Sequence, residues 1–235
     1  MIQTKHRSTR HEIMDDFSLN GQGFRKDLDV LSLINKWLGG NHITLTGVLH
    51  LLKGQSKEKV IRIVDLGCGN GDMLRRLSML GEKYGYHLEL IGIDANSDSI
   101  VYAQELSGDF ENIKFLEIDV FSNEFQDLDY DIALLTLFLH HFNDQQILEK
   151  LIQIKGKSKL GLVINDLHRH KLAYLLFNLL TLFMGSKMIR NDGLVSILKG
   201  FKRKELEQYA RQIKSRSRIQ WKWAFRYQWI LENQK

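Results

Sequence analysis

A chain of 235 residues is long enough to bury the core of one α/β domain and too short to give two ordinary domains a core each, so residues 1–235 read as a single domain. Hydrophobic residues at 43% and charged residues at 26% set the balance of a globular protein and exclude a disordered or fibrous one. One cysteine, Cys68, excludes an internal disulfide, and no Cys and His spacing matches a structural zinc site; a reducing cytoplasm suits both.

The net charge of +5 is uneven: residues 187–235 hold 13 Lys and Arg against 4 Asp and Glu, a net of +9 that leaves −4 for the residues before them. A basic end suits nucleic acid or an anionic membrane, but these charges fall in scattered pairs on a helix and an edge strand, the pattern of a solvated face. Met1 to Asp16 are charged and polar, unlike a secretory signal. The most apolar stretch, Leu172 to Met184, has 13 residues, whereas a spanning helix needs about 20. The expectation is a cytoplasmic protein with no membrane span, with peripheral membrane contact left open.

Proline is absent, so Gly, Asn, Asp and Ser set the element ends. Apolar residues at helical spacing from Phe24 to Leu38, stopped by Gly39-Gly40, predict an amphipathic helix, and a shorter one follows from Thr44 to Leu52. Residues 1–56 thus form an N-terminal helical cap. Strands and helices then alternate, the sign of a parallel sheet with crossover helices. The strands are Val60 to Leu66, Leu88 to Ile93, Ile113 to Ile118, Asp131 to Leu137 and Leu160 to Ile164. Between them lie helices from Asp72 to Tyr84, from Ser97 to Leu106, and from an Asn143-Asp144 cap to Ile154. Residues 57–166 form this core. A helical insertion follows in residues 167–202, made of an apolar helix from His170 to Met184 and a glycine-punctuated linker from Gly185 to Gly200. Residues 203–235 close the chain with a helix from Arg203 to Ile213 and one or two strands with period-two alternation from Ile219 to Leu231.

The run Val64-Asp65-Leu66-Gly67-Cys68-Gly69-Asn70-Gly71-Asp72 lies between a strand and a helix. Glycines there let the backbone turn sharply and approach a ligand, and the amides of the following helix favour an anionic group. A dinucleotide site has its third glycine one position later, in G-x-G-x-x-G, and the G-x-G-x-G spacing here, with Asp65 ahead of it, points away from NAD. Asp94 ends the second strand, where a carboxylate can accept from both hydroxyls of a ribose, with Ala95 beside it, and Asp119 ends the third. Three carboxylates therefore meet at the carboxyl edge of the sheet, where open α/β folds bind ligands.

Over residues 60–166 these motifs resemble the class I S-adenosylmethionine-dependent methyltransferases. The resemblance implies a Rossmann-like α/β fold with a seven-stranded, mostly parallel sheet, helices on both faces and an antiparallel last strand. It implies S-adenosyl-L-methionine as cofactor, with Asp65 and the loop of Gly67, Cys68, Gly69 and Gly71 at the methionine part, Asp94 at the ribose, Asp119 at the adenine amine and Val120 against the ring. Backbone near Thr136 would meet the amino group, and the helix from Ile43 to Leu52 would help cover the cofactor.

Methyl transfer needs little machinery beyond positioning and, for a phenol with an ordinary pKa of about 10, a base near neutrality. Leu139-His140-His141-Phe142 resembles the ending of the fourth strand in small-molecule members of the family, and His168 and His170 follow the fifth. The base is His140 or His168, with His141 structural or facing the cofactor. The absence of the Pro-Pro loop used by DNA and protein-glutamine methylators disfavours those acceptors. No acid accompanies Leu139 to Phe142, so no metal is expected, although Asp166 is suitably placed for one. Residues 172–184 are a lid over an aromatic or lipophilic acceptor, a core helix or a membrane contact. Arg190-Asn191-Asp192-Gly193 and Ala224-Phe225-Arg226-Tyr227 resemble bacterial methyltransferases of quinone-like or polyketide-derived aromatics. The leading expectation is methylation of a small molecule, most readily at oxygen; the alternatives are an RNA methyltransferase that uses the basic end, though nucleic acid is disfavoured, and a non-catalytic partner subunit with the same fold.

Overall fold

The computed structural model describes residues 2–182 and 185–233; residues 183 and 184 of the predicted apolar helix lie outside them. In chain order the elements are α1 (Gly21–Trp37), α2 (Gly40–Leu52), β1 (Ile61–Leu66), α3 (Asp72–Tyr84), β2 (Leu88–Asp94), α4 (Ser97–Leu106), β3 (Ile113–Glu117) and the single turn α5 (Glu124–Asp127). There follow β4 (Ile132–Thr136), α6 (Asp144–Lys157), β5 (Gly161–Leu167), α7 (Lys171–Thr181), α8 (Lys187–Lys199), α9 (Arg203–Ile213), β6 (Arg216–Lys222) and β7 (Arg226–Glu232). Short 3-10 turns occupy Ile13–Asp15 and Leu139–His141.

The seven strands form one sheet in the order β3-β2-β1-β4-β5-β7-β6. The pairings from β3 to β5 are parallel, and those of β7 with β5 and with β6 are antiparallel. The sheet is therefore mixed, with its antiparallel pairings confined to one edge. The order reverses between β1 and β4, and ligands of open α/β sheets bind at such a switch point. Alternation along β1 explains why both faces are covered: Ile61 and Ile63 pack with Val48, Leu52, Leu74 and Leu77, whereas Val64 and Leu66 pack with Ile147, Leu151 and Phe201.

Local signals set the helix starts. Asn96 caps α4, its side chain accepting from Ser99 N at 2.8 Å, and Asn143 caps α6 in a reciprocal box with Gln146. One reading of the sequence is corrected, and the choice between one and two closing strands falls on two. The stretch expected to be a linker from Gly185 to Gly200 contains the helix α8. Gly193 lies inside that helix, and Phe177 of α7 packs where its Cβ would stand, so this glycine marks close helix approach and not a turn. The closing segment is two strands, with Trp223 to Phe225 as the bend between them and Phe225 at φ +53°.

The N-terminal residues are not all helical cap. Residues 2–16 run across the carboxyl edge of the sheet as a strap. Arg7 donates to the main-chain oxygens of His140, Phe142 and Lys199 at 2.8 to 2.9 Å, and buried Arg169 donates to those of Thr4 and Lys5.

Candidate active site

A cavity of about 560 Å³ opens along the carboxyl ends of β1, β2, β4 and β5. At one end lies the glycine loop, with Gly67, Gly69 and Gly71 at φ +70°, +51° and +75°. Side chains rarely adopt such values, so the loop is built for main chain to approach whatever it holds. Asp94 accepts from Gly69 N and Asn96 N, both at 3.0 Å, which fixes its carboxylate at the rim of the loop. Asp65 is buried, and its Oδ1 has no hydrogen-bond partner. Burial first, and the charge of Asp94 second, push its pKa up to about 8.

Of the residues expected to hold a cofactor, Asp65, Gly67, Cys68, Gly69, Asp94, Ala95, Asp119, Val120, Thr136 and His141 all line this cavity. Gly71 does not: it supplies the left-handed start of α3 and sits against Phe115. Asp119 lies two residues beyond β3, and its Oδ1 accepts from Phe121 N at 2.9 Å. Thr136 Oγ1 lies 3.0 Å from Thr44 Oγ1, which ties β4 to α2.

His140 is 2% exposed and lines the same cavity. Its Nδ1 is 2.8 Å from Asp166 Oδ1, and its main-chain N donates to Asp166 Oδ2. The other ring nitrogen, Nε2, has no hydrogen-bond partner and lies 3.6 Å from Glu12 Oε1 on the strap. Burial pulls the pKa of this imidazole down, but the Asp166 carboxylate and, less strongly, that of Glu12 oppose it, and the net direction is up. Asp166 moves the opposite way: burial raises it, but the charge and hydrogen bond of His140 outweigh that and lower it.

The strap completes the cluster. His141 Nδ1 lies 2.7 Å from Asp15 Oδ1, Ser196 Oγ donates to Glu12 Oε2 at 2.6 Å, and Lys199 Nζ lies 3.1 Å from Glu12 Oε1. Glu12 is thus the acid that residues 139–142 lacked, and with His140 and His141 it offers three ligating atoms within 4.8 Å of one another. Lys199 gives that cluster a cation of the protein's own. Asp166, suitably placed for a metal in the sequence, spends its oxygens on His140 and on Leu167 N.

His168 does not face the cavity, which corrects its place among the expected bases. Its Nδ1 accepts from Trp221 Nε1 at 3.2 Å and its ring packs beside Tyr227 and His170. Burial first, then the charges of Lys202, His170 and Arg169, bring its pKa down to about 4. His170 caps α7, its Nδ1 accepting from Leu172 N. The helix α7 turns Ala173, Leu176, Phe177 and Leu180 to the cavity and leaves Leu172, Leu175 and Leu179 about half exposed. With Phe225 they make this part of the cavity wall apolar, whereas Phe142 packs against Phe138 and Phe121, beside Gly67 and Val120.

Residues 57–233 match the family described as "Methyltransferase domain", and the chain belongs to it. Solved structures with the same fold include the plantazolicin methyltransferase BpumL in complex with SAH, at 17% identity and a TM-score of 0.64, covering 90% of this chain and 94% of that one. The magnesium protoporphyrin IX methyltransferase from Synechocystis PCC 6803 with bound SAH is 17% identical, with a TM-score of 0.54 and coverage of 93% and 91%. An O-methyltransferase family protein from Burkholderia thailandensis is 13% identical, with a TM-score of 0.59 over 88% of this chain and 60% of that one. The chain is an S-adenosylmethionine-dependent methyltransferase.

The glycine loop and the orphaned carboxyl of Asp65 fit such a cofactor: an unmet acceptor awaits a donor such as an ammonium, beside main chain free to approach it. Replacing Asp94 with Ala is therefore expected to weaken binding of S-adenosylhomocysteine by about 1 to 3 kcal/mol, the worth of charge-assisted hydrogen bonds. Calorimetry reads this directly. NAD should not bind the parent protein, and an unchanged affinity in the Asp94→Ala variant would remove Asp94 from the cofactor site.

Proposed function

We propose that the protein transfers a methyl group to an oxygen of a small aromatic or lipophilic acceptor, with His140 as general base. The observation that carries this reading is His140 Nε2, buried and without a partner, in a cavity that holds the glycine loop at one end and an apolar wall at the other. S-adenosylmethionine supplies an activated methyl group for an in-line displacement. Asp65, Gly67, Gly69 and Asp94 would hold it, with Asp119 and Val120 at the adenine end. Ala173, Phe177 and Leu180 exclude water from the acceptor, and His140 Nε2 takes the proton of its hydroxyl. Asp166 holds Nδ1 and so fixes which ring nitrogen is free to accept.

The basic end of the sequence gives little support to an RNA substrate. Lys199 and Arg226 are buried, and the exposed Lys187, Arg190, Lys204, Arg211 and Arg218 are spread over α8, α9 and β6 instead of gathered on one element. Proteins of this fold named for plantazolicin and for magnesium protoporphyrin IX agree with an acceptor other than a polynucleotide.

Isotope-labelled S-adenosylmethionine offered with a panel of phenols, carboxylic acids, amines and activated carbon acids tests the reading. Label is expected in methyl ethers of phenols, located by NMR. Label found only on nitrogen or carbon would reject oxygen as the acceptor atom.

A further inference from the structure

We propose that Arg226 and the amino end of α2 form a carboxylate-binding pocket in the wall of the active-site cavity; the identity of its ligand rests on the methyltransferase reading. Arg226 opens β7, opposite Leu167 of β5, and is 3% exposed. It lines the cavity, and its Nε and Nη1 are buried with no hydrogen-bond partner. A buried guanidinium without a counter-charge is costly and is retained where something arrives to pair with it.

Among the described residues none supplies that counter-charge. The carboxylate whose field reaches Arg226 is Asp166, and its oxygens are engaged by His140 Nδ1 at 2.8 Å, His140 N at 3.1 Å and Leu167 N at 2.7 Å. Burial brings the guanidinium down to about 10, so it remains a cation at neutral pH. Asn35 also stands beside Gly40: it is neutral, its Nδ2 donates to Asn41 Oδ1, and its buried Oδ1 has no hydrogen-bond partner, so it offers an acceptor there but no counter-charge.

A second observation points to the same spot. The helix α2 has 13 residues and starts from Gly39 in the left-handed region, with no side chain capping its first N–H groups. Gly40, its first residue, is so close to Arg226 that an added Cβ would stand 2.9 Å from Cζ. An uncapped helix start carries partial positive charge and main-chain donors. Beside it stands a fork of N–H groups that matches two oxygens in one plane. The guanidinium and the helix start both donate, and a carboxylate accepts from either.

That carboxylate belongs either to the amino-acid part of the cofactor or to the methyl acceptor, and one set of titrations separates the two. The Arg226→Gln protein and its parent are titrated with S-adenosylhomocysteine and with 5′-methylthioadenosine, which lacks the amino-acid part. Both proteins, loaded with S-adenosylhomocysteine, are then titrated with benzoate. A loss of tenfold or more for S-adenosylhomocysteine, with 5′-methylthioadenosine unchanged, assigns the pocket to the cofactor. Unchanged nucleoside binding with a tenfold loss for benzoate assigns it to the acceptor.

If the S-adenosylhomocysteine and benzoate affinities are both unchanged, or benzoate fails to bind the parent and the cofactor arm is silent, the proposal is overturned. The ligand-free Arg226→Gln protein is expected to melt at or above the temperature of the parent, because an uncompensated charge has left the interior. A lower melting temperature, with both ligand classes and 5′-methylthioadenosine weakened alike, would make Arg226 a structural residue and also overturn the pocket. If Arg226→Gln does not fold, Arg226→Lys keeps the charge without the fork and is read by the same outcomes. A parent that binds no S-adenosylhomocysteine would sink the methyltransferase reading itself, leaving benzoate and the unloaded protein to decide on Arg226.

Discussion

Replacing His140 with Ala is expected to lower turnover of a phenolic acceptor roughly 10²- to 10⁴-fold, the usual contribution of a general base, with S-adenosylhomocysteine affinity nearly unchanged. The pH profile carries the sharper signature. An imidazole accepts a proton only when neutral, and the carboxylates of Asp166 and Glu12 favour its charged form. Turnover of the parent should therefore rise with pH through a pKa above the ordinary value of about 6.5 and then level off. In His140→Ala that limb disappears, and activity returns in part at high pH as the phenol ionises by itself. His168→Ala should stay near the parent, because Trp221 holds that ring outside the cavity. A His140→Ala enzyme with normal turnover from pH 6 to 9 would leave proximity as the means of catalysis.

The second large effect is on stability. Asp166→Ala removes one member of a fully buried ion pair and strands the other, a change that costs about 3 to 5 kcal/mol. For a domain of this size that corresponds to roughly 6 to 20 °C in melting temperature. The window follows from the two shifts. Asp166 is lowered, so its contribution is present above the unfolded carboxylate value of about 3.9 and is lost as pH falls through the folded one. His140 is raised, so its contribution is present below about 6.5 and is lost as pH rises through its folded value. The gap between variant and parent should thus be widest between about pH 4 and 6.5. Thermal melts across pH read it, and a constant gap would show that lost packing, and not charge, sets the cost.

The parts of this site that were legible in the sequence are those built from neighbours along the chain. Gly67 to Asp72 announce a turn because a β-rich run precedes them and an amphipathic helix follows, and Asp94 is marked by its place at a strand end. His140 stands out for the same reason, just beyond β4. Glu12 and Lys199 carry no such mark, and Arg226 stood out only within Ala224-Phe225-Arg226-Tyr227, with no role attached to it. Each is an ordinary charge in a mixed stretch, and its role comes from elements far apart in sequence meeting at one sheet edge. The pair His140 and His168 could not be ranked without the fold, since both follow strand ends and only tertiary contacts, the hydrogen bond from Trp221 and the rings of Tyr227 and His170, distinguish one of them. Gly193 misled because a glycine within a helix looks like punctuation unless the opposing Phe177 is known. The bend at 223–225 was hidden because period two continues across it.

The strap gives the molecule an order of assembly. Glu12 meets Ser196 across 184 positions, Ile13 N meets Asp192 across 179, and Arg7 meets the carbonyl of Lys199 across 192. During synthesis residues 7–15 leave the ribosome with none of these partners in existence, and the sheet from β3 to β5 can pair before any of them arrives. Contacts so distant in sequence form late and close the largest loops. Until α8 has been made the strap has no partner there, so the wall that shields His140 cannot close before that helix is synthesised. A chain stalled before residue 192 would possess the glycine loop in full and still lack the enclosure that surrounds its histidine.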